Sequence, residues 1–377
     1  MTRITLERIR SFIASEAVLV ISAVVAALSM LLFSPTPGHL TTHASYIDWR
    51  TIGLLFCLMT VVAGLTRSGL VARVRRVLMG RSGNARSLAF TLINVVFASS
   101  MLITNDVALI TFVPLTLAML LHASPRAQIC TVVAETVAAN LGSMATPIGN
   151  PQNIYLVSAF HLDLGAFFAT MGPLTIASYL LCIALSLTVP RERIEAAGTS
   201  DNEPLKPTLI ALYMALFALC LACVARIIPW QPCAGGVLIA CLLLDRGVFK
   251  AVDYSLLATF ICFFIFVGNL QLVDAVAQTL SGFMDSREIV VAALASQVIS
   301  NVPAAIMLSG FTANAQALLL GTNIGGLGTP VASLASLISL RIYARIPGAQ
   351  TGRYLAVFLV ANVALLAILL TAVCIAI

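Results

Sequence analysis

Thr104-Asn105-Asp106 and Thr146-Pro147-Ile148-Gly149-Asn150-Pro151-Gln152-Asn153 interrupt two long apolar runs within the stretch Ile103–Asn153. Both interruptions put polar residues and helix breakers where a membrane helix ought to run on. The pattern returns in the second half of the chain. Ser300-Asn301-Val302-Pro303 echoes the first break, and Gly328-Thr329-Pro330-Val331 echoes the second. Four matched breaks in the same order predict one solute site near the middle of a membrane.

Composition fixes the setting. The 377 residues are 60% hydrophobic and 10% charged, with mean hydropathy +1.03. Soluble domains carry roughly 25% charged residues, so the chain reads as an all-α polytopic membrane protein with one transmembrane domain, 1–377. The net charge of +6 does not point to nucleic acid, because the Arg residues sit in short loops where positive charge sets membrane orientation. The nine Cys are scattered through apolar runs and read as small packing residues. Cys220 and Cys223 have CxxC spacing but lie in a predicted membrane helix. His39, His43, His122 and His161 fall in loops or at span ends and suggest no metal site.

Apolar runs long enough to span lie at 17–33, 49–66, 165–189, 208–228, 254–272 and 353–377, with a shorter one at 233–244. The run 88–121 reads as a re-entrant hairpin or as two thin spans, 288–310 as a re-entrant hairpin, and 127–160 and 313–341 as broken helices. The first run is too long, and too closely preceded by Glu16, for a cleaved signal, so it reads as an uncleaved helix. With the N-terminus inside, all of the 21 Lys and Arg except Arg50, Arg226 and Arg287 fall in cytoplasmic loops. That gives about nine full spans plus two hairpins. Asp48 then opens a span from outside and Asp253 opens its counterpart from inside, so the halves form an inverted repeat: 16–189, a cytoplasmic linker 190–207, and 208–377 with 208–228 as the odd joining span. Paired broken helices in an inverted repeat are the mark of secondary transporters.

The chemistry follows from the breaks. Irregular backbone survives at membrane depth only when buried in protein or lining a wet cavity. Pro147 and Pro151 remove two N–H donors, and Gly149 allows the turn between them. Freed carbonyls suit a cation; the helix N-terminus beyond the break suits an anion. Thr146, Asn150 and Asn153 supply neutral donors and acceptors, as do Thr329, Pro330 and Ser333 in the second half, where Ser333 stands for Asn150. Asn105 and Asn301 at the hairpin tips read as ligand contacts or as backbone caps. Asn140 and Asn323 read as cation or solute lining or as helix–helix hydrogen bonds. Thr104 and Ser300 precede the tip amides. Asp106 and Glu135 are the acids deep inside apolar runs, and such acids are usually functional. Asp106 suits Na⁺ or a proton; Glu135 suits a proton relay or a buried neutral acid. Val302 replaces Asp106 in the second half.

At these residues the chain resembles the ion transporter superfamily: divalent anion:sodium symporters, citrate transporters, arsenite permeases and NhaD-type sodium/proton antiporters. The strings Thr104 to Leu109, Thr146 to Asn153 and Ser300 to Pro303 look closest to anion permeases of the bacterial inner membrane. Asn323 to Leu340 is also similar to the second half of arsenite permeases. The resemblance implies a scaffold that often forms a homodimer within membrane lipid, elevator-like movement, and no cofactor beyond Na⁺ or H⁺ as coupling ion. Dicarboxylate symporters carry Ser-Asn-Thr at both tips; here the tips are Thr-Asn-Asp and Ser-Asn-Val. A carboxylate at one tip suits cation or proton coupling, or a neutral oxyacid such as arsenite. The expectation is a multi-pass inner-membrane symporter or antiporter, N-terminus cytoplasmic, for a small anion or oxyacid. The alternatives are a Na⁺/H⁺ antiporter or an arsenite efflux permease. HExxH, GxSxG and GxGD are missing, so an enzyme is not expected, and without a nucleotide-binding loop neither is a primary pump.

Overall fold

Apolar runs in lipid must satisfy their own backbone, which leaves the helix as the economical answer for a chain without alternating strand patterns. The computed structural model describes residues 16–33, 40–69, 73, 84–194 and 205–376. Arg3, Arg8, Arg10, His39, most of the Arg67–Arg86 loop and the middle of the 190–207 linker lie outside the described residues. The first half runs α1 Ala17–Phe33, α2 Leu40–Tyr46, α3 Trp49–Arg67, α4 Ala85–Ile103, α5 Asn105–Met119, α6 Pro125–Ser143, α7 Pro151–Ala159 and α8 Leu164–Ser186. The second runs α9 Pro207–Val224, α10 Trp230–Leu244, a 3-10 turn Arg246–Ala251, α11 Tyr254–Gln271, α12 Asp274–Met284, α13 Glu288–Ile299, α14 Asn301–Ser309, α15 Ala315–Ile324, a 3-10 turn Pro330–Ala332, α16 Leu334–Ala344 and α17 Thr351–Ala376.

Helix starts are set by local side chains. Asp48 accepts from the Thr51 amide at 3.1 Å and Asp253 from the Leu256 amide at 2.9 Å, so the two matched aspartates cap α3 and α11 alike. Ser124 caps α6 and Asn314 caps α15 in the same way. Among the described residues, six helices are long and apolar enough to cross a membrane: α3, α4, α8, α9, α11 and α17. The hairpins differ in depth. The arms of the first have 19 and 15 residues, and those of the second 12 and 9. At ~1.5 Å per residue the first hairpin is far the longer. The short α2 and the turn Arg246–Ala251 were not expected from sequence, because each is too short and too polar to register as a span.

The halves pack by exchange. α1 packs on α11, and α10 on α3. α2 rests on α11, and the turn Arg246–Ala251 on α3. α5 lies against α16, and α14 against α7; α17 leans on α6, and α8 on α15. Each contact has a partner with the halves swapped. The register of the broken helices gives their sense. Thr136 Oγ1 donates to Ser339 Oγ at 2.8 Å, and Asn140 Nδ2 to Ser336 Oγ at 3.1 Å. Residue numbers rise on α6 as they fall on α16, so the two broken helices run antiparallel.

Charged side chains segregate to the two ends of α3. At its C-terminal end Arg67 pairs with Asp245 at 3.2 Å, Tyr213 donates to the same carboxylate at 2.9 Å, and the Lys206 amide donates to the Ser68 carbonyl. At its N-terminal end Arg50 donates to the Cys223 carbonyl at 3.1 Å, while Arg226 meets His161 at 2.8 Å and the Val157 carbonyl at 3.3 Å.

Candidate functional site: four helix breaks meeting at one point

The hairpin tips share one unusual backbone. Thr104 has φ 70° and ψ 153°; Ser300 has φ 73° and ψ 153°. This region is essentially reserved for glycine, and holding another residue there costs on the order of 1–3 kcal/mol. The same strain at two matched tips marks both as fixed by their surroundings. Each Thr-Pro break is tied to the hairpin of its own half. The Thr146 hydroxyl donates to the Met101 carbonyl, and the Thr329 hydroxyl to the Gln297 carbonyl at 3.0 Å. Both acceptors stand three residues before the tip.

Close packing allows the ties. A Cβ on Gly142 would come 2.4 Å from Ser100 Oγ, and one on Gly325 would come 2.7 Å from Ser296 Oγ. Gly149 lies so near the end of α6 that a Cβ would fall 2.1 Å from the Ser143 carbonyl oxygen. Pro147 is buried in the first break, whereas Pro330 opens a 3-10 turn in the second.

The halves are braced across the centre by two exchanged sets of hydrogen bonds. Asn140, before the first break, accepts from Ser333 Oγ at 2.9 Å and donates to Ser336 Oγ at 3.1 Å, both after the second. Asn323, before the second break, accepts from Asn150 Nδ2 at 2.9 Å and donates to Asn153 Oδ1 at 2.7 Å, both after the first. Asn150 also caps α7 through the Asn153 amide at 2.9 Å. Asn153 Nδ2 donates to the Thr146 carbonyl at 3.0 Å, which also accepts the Gly149 amide at 3.3 Å. Asn105 Nδ2 joins from the first tip by donating to Asn140 Oδ1 at 3.1 Å. Asn105, Asn140, Asn150, Asn153, Asn323 and Ser333 are all buried.

Two tip residues stand apart from this network. Asp106 Oδ1 is buried and has no hydrogen-bond partner among the described residues, in the first turn of α5 where the helix end favours negative charge. Asn301 is buried beside the second break, where a Cβ on Gly326 would lie 3.0 Å from its Nδ2. The sequence-predicted residues thus sort into bracing amides and an unpaired tip acid. Glu135 is not gathered with them. It is fully buried between α5 and α6, accepts from Thr116 Oγ1 at 2.6 Å, and leaves Oε2 without a partner among the described residues.

Ser336 and Ser143 were not singled out from sequence. The signal for Ser336 was spacing: it follows Ser333 by the interval at which Asn153 follows Asn150. Tyr155 was also missed. Its hydroxyl bonds Ser309 Oγ at 2.5 Å and helps line a cavity of about 340 Å³ with Tyr46, Phe264 and Gln271, just beyond the N-terminal turn of α7.

Comparison with known proteins gives the family. The citrate transporter family model matches residues 11–319. The chain is 33% identical over 303 residues to the inner membrane protein YbiR of Escherichia coli, covering 78% of this chain and 80% of that one. It is 31% identical over 301 residues to the transporter MJ0456 of Methanocaldococcus jannaschii, covering 78% and 81%. A shorter similarity, 28% over 157 residues, links it to the silicon efflux transporter LSI3 of Oryza sativa, covering 42% of this chain and 32% of that protein. The chain is a membrane transporter and belongs to the citrate transporter family.

Proposed function

We propose that the protein is a secondary active transporter of the bacterial inner membrane that moves a small anion or oxyacid, coupled to Na⁺ or H⁺. The observation that carries this reading is the crossing of two antiparallel broken helices, with an unpaired carboxylate, Asp106, at the hairpin tip beside them. The side chains of the central brace are amides and hydroxyls, so solute selection rests on hydrogen bonding rather than on a resident Lys or Arg. That suits an oxygen-rich solute whose charge is low or is matched by the coupling cation. α1, α3, α9, α10 and α11 act as the scaffold; the hairpins and broken helices move against it in the manner of an elevator. The end holding Arg67 and Lys206 faces the cytoplasm, because the loops there carry the basic excess. The test is uptake into proteoliposomes of citrate, smaller carboxylates, arsenite and silicic acid, under a Na⁺ gradient and separately under a pH gradient. Accumulation of one class under one gradient supports the reading. Passive equilibration of every solute under both rejects it.

A second reading, Na⁺/H⁺ antiport without another solute, draws on the same unpaired Asp106 oxygen. Proton movement on adding Na⁺ to solute-free vesicles supports it, and silence in that assay removes it.

A further inference from the structure

The two breaks treat their freed carbonyls differently. In the second half the Gln297 amide nitrogen stands 3.0 Å from the Ala293 carbonyl, 2.9 Å from that of Gly325 and 2.9 Å from that of Leu327. Its Oε1 accepts from the Thr329 amide at 2.8 Å. That bond fixes which end of the amide is nitrogen, since an N–H requires an acceptor. An NH₂ group carries two hydrogens, yet three carbonyl oxygens converge on this one. A cage with more acceptors than its donor has protons is the arrangement a spherical cation fills, by replacing water with carbonyls.

The first half lacks this plug. Met101 stands where Gln297 stands, three residues before the tip. The matching carbonyls are those of Phe97, Gly142 and Met144. Phe97 O accepts the local Ser100 hydroxyl at 2.9 Å, Gly142 O accepts a turn amide at 3.0 Å, and Met144 O takes only a long 3.4 Å bond from Asn153. No side chain among the described residues joins all three. Asp106, with its unpaired oxygen, is at the tip of this half, and Val302 replaces it in the other.

We propose that Gln297 is a built-in substitute for a bound cation: its amide nitrogen fills the carbonyl cage of the second break and leaves the coupling cation to the first. Gln297 is thus a positioning residue, holding the second break in the shape that the ion must induce or stabilise in the first. The proposal rests on the reading of the protein as a cation-coupled transporter. Hard cations take carbonyl oxygens at about 2.3–2.6 Å, so the oxygens around the amide nitrogen need to close by only about 0.5 Å to hold one in its place.

The test is thermal unfolding of purified full-length wild type, Gln297→Ala and Gln297→Lys in NaCl, LiCl and choline chloride at equal ionic strength. Gln297→Ala empties the cage. It is expected to unfold a few degrees below wild type in choline and to recover most of that loss in Na⁺ or Li⁺, along a saturating one-site curve. Wild type gains less from the same salts. Gln297→Lys carries its own cation into the cage, and its Tm shows no Na⁺ or Li⁺ gain beyond that of wild type. An equal loss for Gln297→Ala in all three salts overturns the proposal, as does its failure to fold in Na⁺ as well as in choline. Unfolding needs no solute, so a negative uptake screen, which would reject the transport reading, leaves this outcome separately legible.

Discussion

The two halves share a plan and differ at four positions that matter. Both tips hold the same strained backbone, both Thr-Pro breaks bond the hairpin carbonyl three residues before the tip, and each pre-break Asn reaches across to the opposite post-break helix. Against that common frame, Asp106 faces Val302, Met101 faces Gln297, and the Asn150/Asn153 pair faces Ser333/Ser336. The second half satisfies its break with its own amide and buries an apolar residue at its tip. Among the described residues, the first leaves the Met144 carbonyl weakly paired and an acid oxygen unpaired. Under the proposed role of Gln297, the duplicated site keeps its architecture while confining its ion chemistry to one copy.

The largest effect is expected where the contrast is sharpest. Asp106→Asn removes the unpaired carboxylate while keeping its volume. Coupled uptake should fall to the level of empty vesicles, with membrane expression unchanged, as for an intramembrane acid in an ion path. Uptake with wild-type gradient dependence in that variant would break the comparison at its centre.

Next come the braces. Asn323→Ala strands Asn153 Oδ1 and leaves Asn150 Nδ2 with only Ser143 Oγ at 3.3 Å, and Asn140→Ala strands the Ser333 and Ser336 hydroxyls and Asn105 Nδ2. Leaving buried partners unsatisfied costs about 1–3 kcal/mol, well above the ~0.6 kcal/mol average for polar pairs between membrane helices. Unfolding midpoints in denaturant should drop by similar amounts for the two variants if the braces are equivalent. A drop for one alone would show that only one arm holds the halves together.

Smallest is the effect of relieving the tips. Thr104→Gly replaces a strained residue with one that accepts φ near +70°, and the gain is offset in part by the extra unfolded-state entropy of glycine. A net stabilisation of about 1 kcal/mol is expected. Ser300→Gly should gain less, because it also gives up the 3.4 Å bond from Ser300 Oγ to the Ala332 carbonyl. Thermal melts of the two variants side by side check the order.

Much of this was legible in the sequence. Ala17–Phe33 and Tyr254–Gln271 fall where apolar length put them, and the tips fall beside Asn105 and Asn301, because Asn after Thr or Ser in an apolar run has few other uses. The pairing of Asn140 with Ser336 and of Asn323 with Asn150 was not legible. Serines are common in membrane helices, and only the antiparallel register shows which of them meet the amides. The surroundings of Gln297 were not legible either, since nothing in its sequence neighbours shows that three carbonyls converge on it. Glu135 read as a proton relay or as a buried neutral acid bonded to a neighbouring helix, and the sequence alone does not show that its partner is Thr116 on α5.

The most direct test of the central claim is the coupling stoichiometry in proteoliposomes, from the membrane potential or ion gradient at which net solute flux reverses, read with the dependence of uptake on the coupling cation. A single ion position in the first half predicts one cation per solute and a hyperbolic dependence in the wild type. Two cations per solute with a sigmoidal dependence would contradict it.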